Sequence, residues 1–186
     1  LLLYSMVCVA VIFGADTGFF NAYVQLVIMY VGINIILSTS LNWINGYMGE
    51  FSVGHAGFMA VGAYVTSILN VWLFTDSSAF GPSLLSGSSA LYLFPVTLLI
   101  GGVSAALVGL LVAIPSFRTR GDYLAIITLA VNYIVKSSIE NIQAIGGARG
   151  FMGMRNVVDS MNEMVDAPWI LIWILQFVGF TVWVLH

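Results

Sequence analysis

The chain has 186 residues, 60% of them hydrophobic and 7% charged, with a mean hydropathy of +1.03. That balance excludes a soluble globular domain and points to an integral membrane protein, because apolar runs near the length of a bilayer crossing recur along it. A scattered net charge of -3 excludes a nucleic-acid partner, and a single cysteine, Cys8 in an apolar run, excludes a disulfide framework and a cysteine metal site.

The chain opens on Leu1 inside one apolar run and stops at His186 inside another, so it is expected to be a fragment of one transmembrane domain, truncated at both ends. Residues 1–13 read as the exit end of a first span, and 14–20 (GADTGFF) as a short polar loop. Residues 22–41 form a second span, whose Gln25, Asn34 and Ser38 to Ser40 predict packing against other helices. A third span is expected over 58–74, with Ser52, Ala56, Ala60 and Ala63 as small residues that let another backbone approach. Residues 75–90, rich in Ser, Gly and Pro, read as a loop. The longest apolar run, 91–117, is a fourth span with Pro115 as a stop signal and a Gly101, Ala105, Gly109 packing ladder. A fifth span over 123–142 carries Asn132 and the pair Lys136 and Glu140, read as a structural ion pair. Residues 156–166 have apolar positions at helical spacing and predict an amphipathic helix lying on the membrane. Pro168 then opens a sixth span flanked by tryptophans. The expected fold is thus an all-α polytopic transmembrane helix bundle of about six spans.

One stretch does not fit a plain span. Between residues 41 and 64 (LNWINGYMGEFSVGHAGFMAVGAY), glycines punctuate an apolar run that also holds Asn42, Asn45, Glu50, Ser52 and His55. Irregular backbone at membrane depth is tolerated only where protein or a watery cavity satisfies its polar groups. The expectation is a Gly-broken helix at 42–57 beside a substrate path, with Gly46 and Gly49 in a tight turn and Ser52 capping a new helix. Its candidate path residues are Asn42, Asn45, Gly46, Gly49, Glu50, Ser52, Gly54, His55 and Gly57. A tight turn with close helix packing is the blander account of the same glycines. His55 reads as an interior histidine that fixes the turn, and Glu50 either meets a substrate ammonium group or sits among headgroups. Loop charges leave the orientation open, since Arg118 and Arg120 on one side balance Arg149 and Arg155 on the other.

The sequence NWINGYMGEFSVGHAGFMAVGAY resembles the signature of the branched-chain amino-acid ABC transporter permease family, roughly N-x-x-x-G-Y-x-G-x-x-S-x-G-H-A-x-F-x-x-x-G-A-Y. RTRGDYLAIITL at 118–129 is similar to that family's R-x-R-G-x-Y-x-A-I-x-T-L, and GGARG at 146–150 to its G-G-x-x-G. Where the family often has Gln, commonly Glu, and Pro-Asn, this chain has Glu50, Tyr133, and Ala148 with Arg149.

The resemblance implies a non-enzymatic subunit of the cell inner membrane. It would pair with a second permease subunit, identical or related, and with two cytoplasmic ATPase subunits that bind ATP and Mg, and it would take substrate from an external binding protein. It would hold no cofactor or metal itself. It places 117–123 inside, making Arg118, Arg120 and Asp122 a cytoplasmic topology anchor, and 146–167 outside, making Gly146, Gly147, Arg149 and Gly150 a candidate external mouth. A coupling loop that docks on the ATPase is expected beyond residue 186. The function so implied is ATP-driven import of branched-chain amino acids by alternating access, with Asn45, Ser52 and a helix N-terminus as candidate partners for the solute's charged groups. The alternatives are a permease for urea, an amide or another small polar solute, an intramembrane enzyme using His55 with Glu50 or Asp122, and a passive channel.

Overall fold

A computed structural model describes residues 2–17, 20–47, 49, 52–75, 81–85, 89–116, 122–162 and 169–185. Those residues form helices and connecting turns and contain no β-strand. In chain order the helices are α1 (Leu2–Asp16), α2 (Ala22–Asn42), α3 (His55–Phe74), α4 (Ala90–Ser116), α5 (Asp122–Asn141), α6 (Met154–Asn162) and α7 (Trp169–Leu185). Four segments are long and apolar enough to cross a membrane: Tyr23–Tyr47, His55–Phe74, Tyr92–Ile114 and Tyr123–Asn141. The described parts of α1 and α7 are shorter apolar helices of 15 and 17 residues. The expected all-α helical bundle is what the chain forms.

The chain divides into two compact units, one of Leu1–Gly49 with Asn162–His186 and one of Glu50–Met161. In the first, α2 packs along α7, and Gly32 permits the contact. A Cβ at Gly32 would lie 2.6 Å from Ile174 Cγ2, while Leu171 and Val178 on the same face of α7 are buried. α1 runs on through Gly14 to Asp16, past the loop expected from residue 14, and closes with the Thr17 hydroxyl donating to the Phe13 carbonyl at 2.8 Å. The expected packing of α2 on another helix is present, but bonds of its polar residues run within α2 itself. Asn34 Nδ2 donates to the Tyr30 carbonyl at 2.8 Å, Thr39 Oγ1 to Ile35 at 2.7 Å and Ser40 Oγ to Leu37 at 3.1 Å, each a bond to the preceding turn of the same helix.

The second unit is assembled on α3. Glycine brings α4 close: a Cβ at Gly62 would lie 3.3 Å from the Gly101 carbonyl oxygen, and one at Gly101 would collide with the Thr66 hydroxyl. The expected small-residue face of α3 is therefore the wrong one, since Ala56 and Ala63 are exposed and Gly62 makes the contact. Of the α4 ladder, Gly101 and Ala105 meet α3, and Gly109 faces open space. Beside the glycines lies a buried polar cluster. Asn70 Nδ2 donates to the Thr66 carbonyl at 2.8 Å and lies 3.0 Å from Thr97 Oγ1, and the Thr97 hydroxyl lies 2.8 Å from the Phe94 carbonyl. Asn70 is 0% and Thr97 2% exposed, so these bonds stand in for water that the buried groups have lost.

At the far end of α3, Val71 and Phe74 form a core with Val157 of α6, joined by Leu93, Phe94, Phe151 and Met154. The apolar side of the expected amphipathic helix therefore meets protein at this point. The apolar side of α6 is covered by protein at Val157, which is 0% exposed, while Arg155 and Asp159 pair on its outer side. Met164 and Val165 of the expected helix lie outside the described residues.

Alanine at Gly101 should lower the stability of the detergent-solubilised full-length subunit by about 1–3 kcal/mol through overpacking. Alanine at Gly109 should leave it unchanged or raise it, because that position has space and gains helix propensity. Thermal unfolding midpoints of the two variants test the contrast.

Candidate functional site

The break in the 41–64 stretch is real, but its parts differ from those expected. α2 does not end in a tight turn at Gly46; it loosens into a π-helical stretch, Trp43–Tyr47. A Cβ at Gly46 would lie 2.7 Å from Asn42 Oδ1, so glycine there makes room for the Asn42 amide one turn earlier. Gly49 does take the left-handed conformation, at φ +69°. α3 then starts at His55 with Gly54 as its N-cap, not with Ser52, and Gly54 has no side chain with which to cap. The backbone of this entry is held by α5 instead. The Val53 N–H donates to Thr128 Oγ1 at 3.1 Å, and the Thr128 hydroxyl donates to the Ala125 carbonyl at 3.0 Å.

The same face of α5 explains two glycines. A Cβ at Gly54 would lie 3.2 Å from both Thr128 Cβ and the Thr128 carbonyl oxygen. One at Gly57 would lie 3.1 Å from Asn132 Oδ1 and 3.3 Å from Asn132 Cα. Gly54 and Gly57 are one turn apart on α3, Thr128 and Asn132 one turn apart on α5, so two small surfaces interlock. Thr128 is buried. Sequence reasoning missed its role, although it lies within the 118–129 block, because nothing in that block says which backbone it touches.

The candidates fall in both units. Asn42, Asn45, Gly46 and Gly49 belong to the first unit, and Ser52, Gly54, His55 and Gly57 to the second. His55, Ser52 and Asn45 are half-buried, and each has an interaction partner. Glu50, Arg118 and Arg120 lie outside the described residues, as does the side chain of Asp122.

At the other end of α5, the glycine pattern of 146–150 is a backbone requirement: Gly146, Gly147 and Gly150 have φ of +96°, +54° and +82°. Two one-turn 3-10 segments, Gln143–Ile145 and Gly147–Arg149, fold the loop onto the end of α5, with the Gly147 N–H donating to the Ile142 carbonyl at 3.2 Å. The N–H groups of Gly146, Gly147, Arg149 and Gly150 are all engaged inside this turn. Attraction for an anion there rests on the exposed Arg149 side chain, not on a backbone nest.

A family model described as "Branched-chain amino acid transport system / permease component" matches residues 23–186. Over 119 residues the chain is 36% identical to the high-affinity branched-chain amino acid transport system permease protein LivM of Escherichia coli K12, and 34% identical to its Salmonella typhimurium counterpart; each match covers 63% of this chain and 24% of the relative. A probable branched-chain amino acid transport permease protein LivM of Methanocaldococcus jannaschii is 23% identical over 177 residues, covering 86% of this chain and 51% of the relative. The chain thus spans between about a quarter and about half of the length of these curated relatives. No solved structure matches the chain significantly.

Thr128→Val removes the acceptor of the Val53 amide, whereas Thr128→Ser keeps it. The valine variant should speed hydrogen exchange in the 52–57 segment by about tenfold, as expected for one lost hydrogen bond, and the serine variant should retain protection. Mass-spectrometric exchange on the full-length subunit reads both.

Proposed function

Because the chain belongs to the branched-chain amino acid transport system permease component family, we propose that it is the membrane-embedded part of an ATP-driven importer subunit for branched-chain amino acids. The supporting observation is the family match over 23–186, which takes in the broken entry to α3 and its seat on α5. The chain forms a single permease domain of the inner membrane, with 117–123 on the cytoplasmic side and 146–167 outside. It works beside a second permease subunit, two ATPase subunits that bind ATP and Mg, and a soluble binding protein that engages the mouth around Gly146, Gly147, Arg149 and Gly150. The chain itself supplies no catalytic group.

Transport proceeds by alternating access, in which nucleotide binding and hydrolysis in the partners bias two packings of the helices. The entry to α3 is suited to such a switch. Its π-helical stretch departs from the α-helical ladder and Gly49 from helical φ, while the Gly54 and Gly57 contact gives α3 a firm partner to move with. Cytoplasmic anchoring falls to Arg118, Arg120 and Asp122, and Glu50, Asn42, Asn45, Ser52 and His55 lie along the path.

Labelled leucine and labelled urea, offered to vesicles holding the full-length subunit with its partners, test this with and without ATP. ATP-dependent leucine uptake is expected; ATP-dependent urea uptake would move the substrate, and ATP-independent flux of either would sink the importer. Gly57→Leu, which cannot fit against Asn132, should reduce leucine uptake at normal expression, and unchanged flux would take the broken helix out of the mechanism.

A further inference from the structure

α5 is the one described span that carries an exposed ion pair. Lys136 Nζ and Glu140 Oε1 lie 3.8 Å apart, with side chains 66% and 48% exposed. As a structural device this pair has little to offer: it is solvent-exposed, it runs in the less favourable Lys-before-Glu order, and it ties α5 to no other element. Facing lipid it would be costly, since charged side chains in spans turn toward protein or water. Its neighbours are polar on one side and apolar below. Ser137 and Tyr133 are exposed next to it, and Leu129, 42% exposed, lies beneath Tyr133, 64% exposed. Leu129, Tyr133, Lys136 and Glu140 stand at i, i+4, i+7 and i+11, a single stripe along the helix at about 5.4 Å per turn.

We propose that this stripe is a docking site for an α-amino acid zwitterion with an apolar side chain. The solute's carboxylate meets Lys136, its ammonium group meets Glu140, and its side chain lies over Tyr133 and Leu129. The match is one of charge and spacing: a cation and an anion a few ångströms apart, with an apolar surface a turn away, complement a solute that has the opposite charges on one carbon and a hydrocarbon branch beside them. Because the two side chains hold each other only weakly, exchanging that contact for the solute's two charges sacrifices little. The assignment rests on the importer reading and names the residues that would give it its substrate class.

The test uses the complete transporter in vesicles, with initial ATP-dependent leucine uptake expressed per unit of assembled complex. Lys136→Gln and Glu140→Gln should each lower uptake at subsaturating leucine about tenfold, the loss expected for one charge-assisted hydrogen bond. Arg155→Gln, which removes an exposed pair of the same 3.8 Å spacing on α6, should leave uptake unchanged. Wild-type uptake in both glutamine variants of α5 would overturn the site. Loss of assembled complex in either, or full recovery in the doubly exchanged Lys136→Glu, Glu140→Lys variant, would make the pair structural and overturn it equally. Absence of ATP-dependent leucine uptake in the wild type would instead defeat the importer reading.

Discussion

The close approach of backbones around α3 governs the 50–161 unit. In lipid there is no hydrophobic force to press one apolar helix against another, so association depends on contact distance and on hydrogen bonds that have no outside competitor. α3 meets both needs at separate points along its length. Gly54 and Gly57 let α5 in at the start, Gly62 lets α4 in at the middle, and Asn70 with Thr97 supplies the polar link before Val71 and Phe74 close the far end on Val157. A larger side chain at any of the three glycines would push a neighbour outward by displacing backbone, which cannot rotate aside as a flexible side chain can.

Satisfaction of polar groups is the second constraint, and the two units solve it differently. In α2 polar side chains bond back to the preceding turn, so these groups are satisfied without help from α7. In the α3 and α4 pair they bond across, through Asn70 and Thr97, which commits the two helices to one register. A buried amide that loses such a partner costs about 1–3 kcal/mol, so sliding α4 along α3 by a turn is penalised twice, by clash and by desolvation.

The helices themselves were largely legible in the sequence. α2, α4 and α5 begin and end within a residue or so of the boundaries that apolar runs, Pro115 and the charged 117–123 segment indicate. Contacts were less legible, because a period of small residues says that a helix has a narrow side without saying which neighbour uses it. Ala56, Ala60 and Ala63 and the pair Gly62 and Thr66 are equally good candidates on paper; only the location of Gly101 decides between them. Ser52 looked like a cap because serine caps helices in solution, yet Thr128 of another helix holds this entry. The amphipathic pattern expected over 156–166 does meet a helix, described over Met154–Asn162, but the pattern cannot tell lipid from Val71 and Phe74 as the apolar partner.

The division of the chain also bears on how it is made. The 50–161 unit is an uninterrupted segment, while the other unit joins residues 1–49 to residues 162–186, with Gly32 on α2 meeting Ile174 on α7. During synthesis, therefore, α2 enters the bilayer long before its partner exists, and its self-bonded polar side chains suit a helix that must wait unaccompanied. The 50–161 unit, whose contacts join helices closer in sequence, is free to consolidate first, so α2 meets α7 only after that unit has been made.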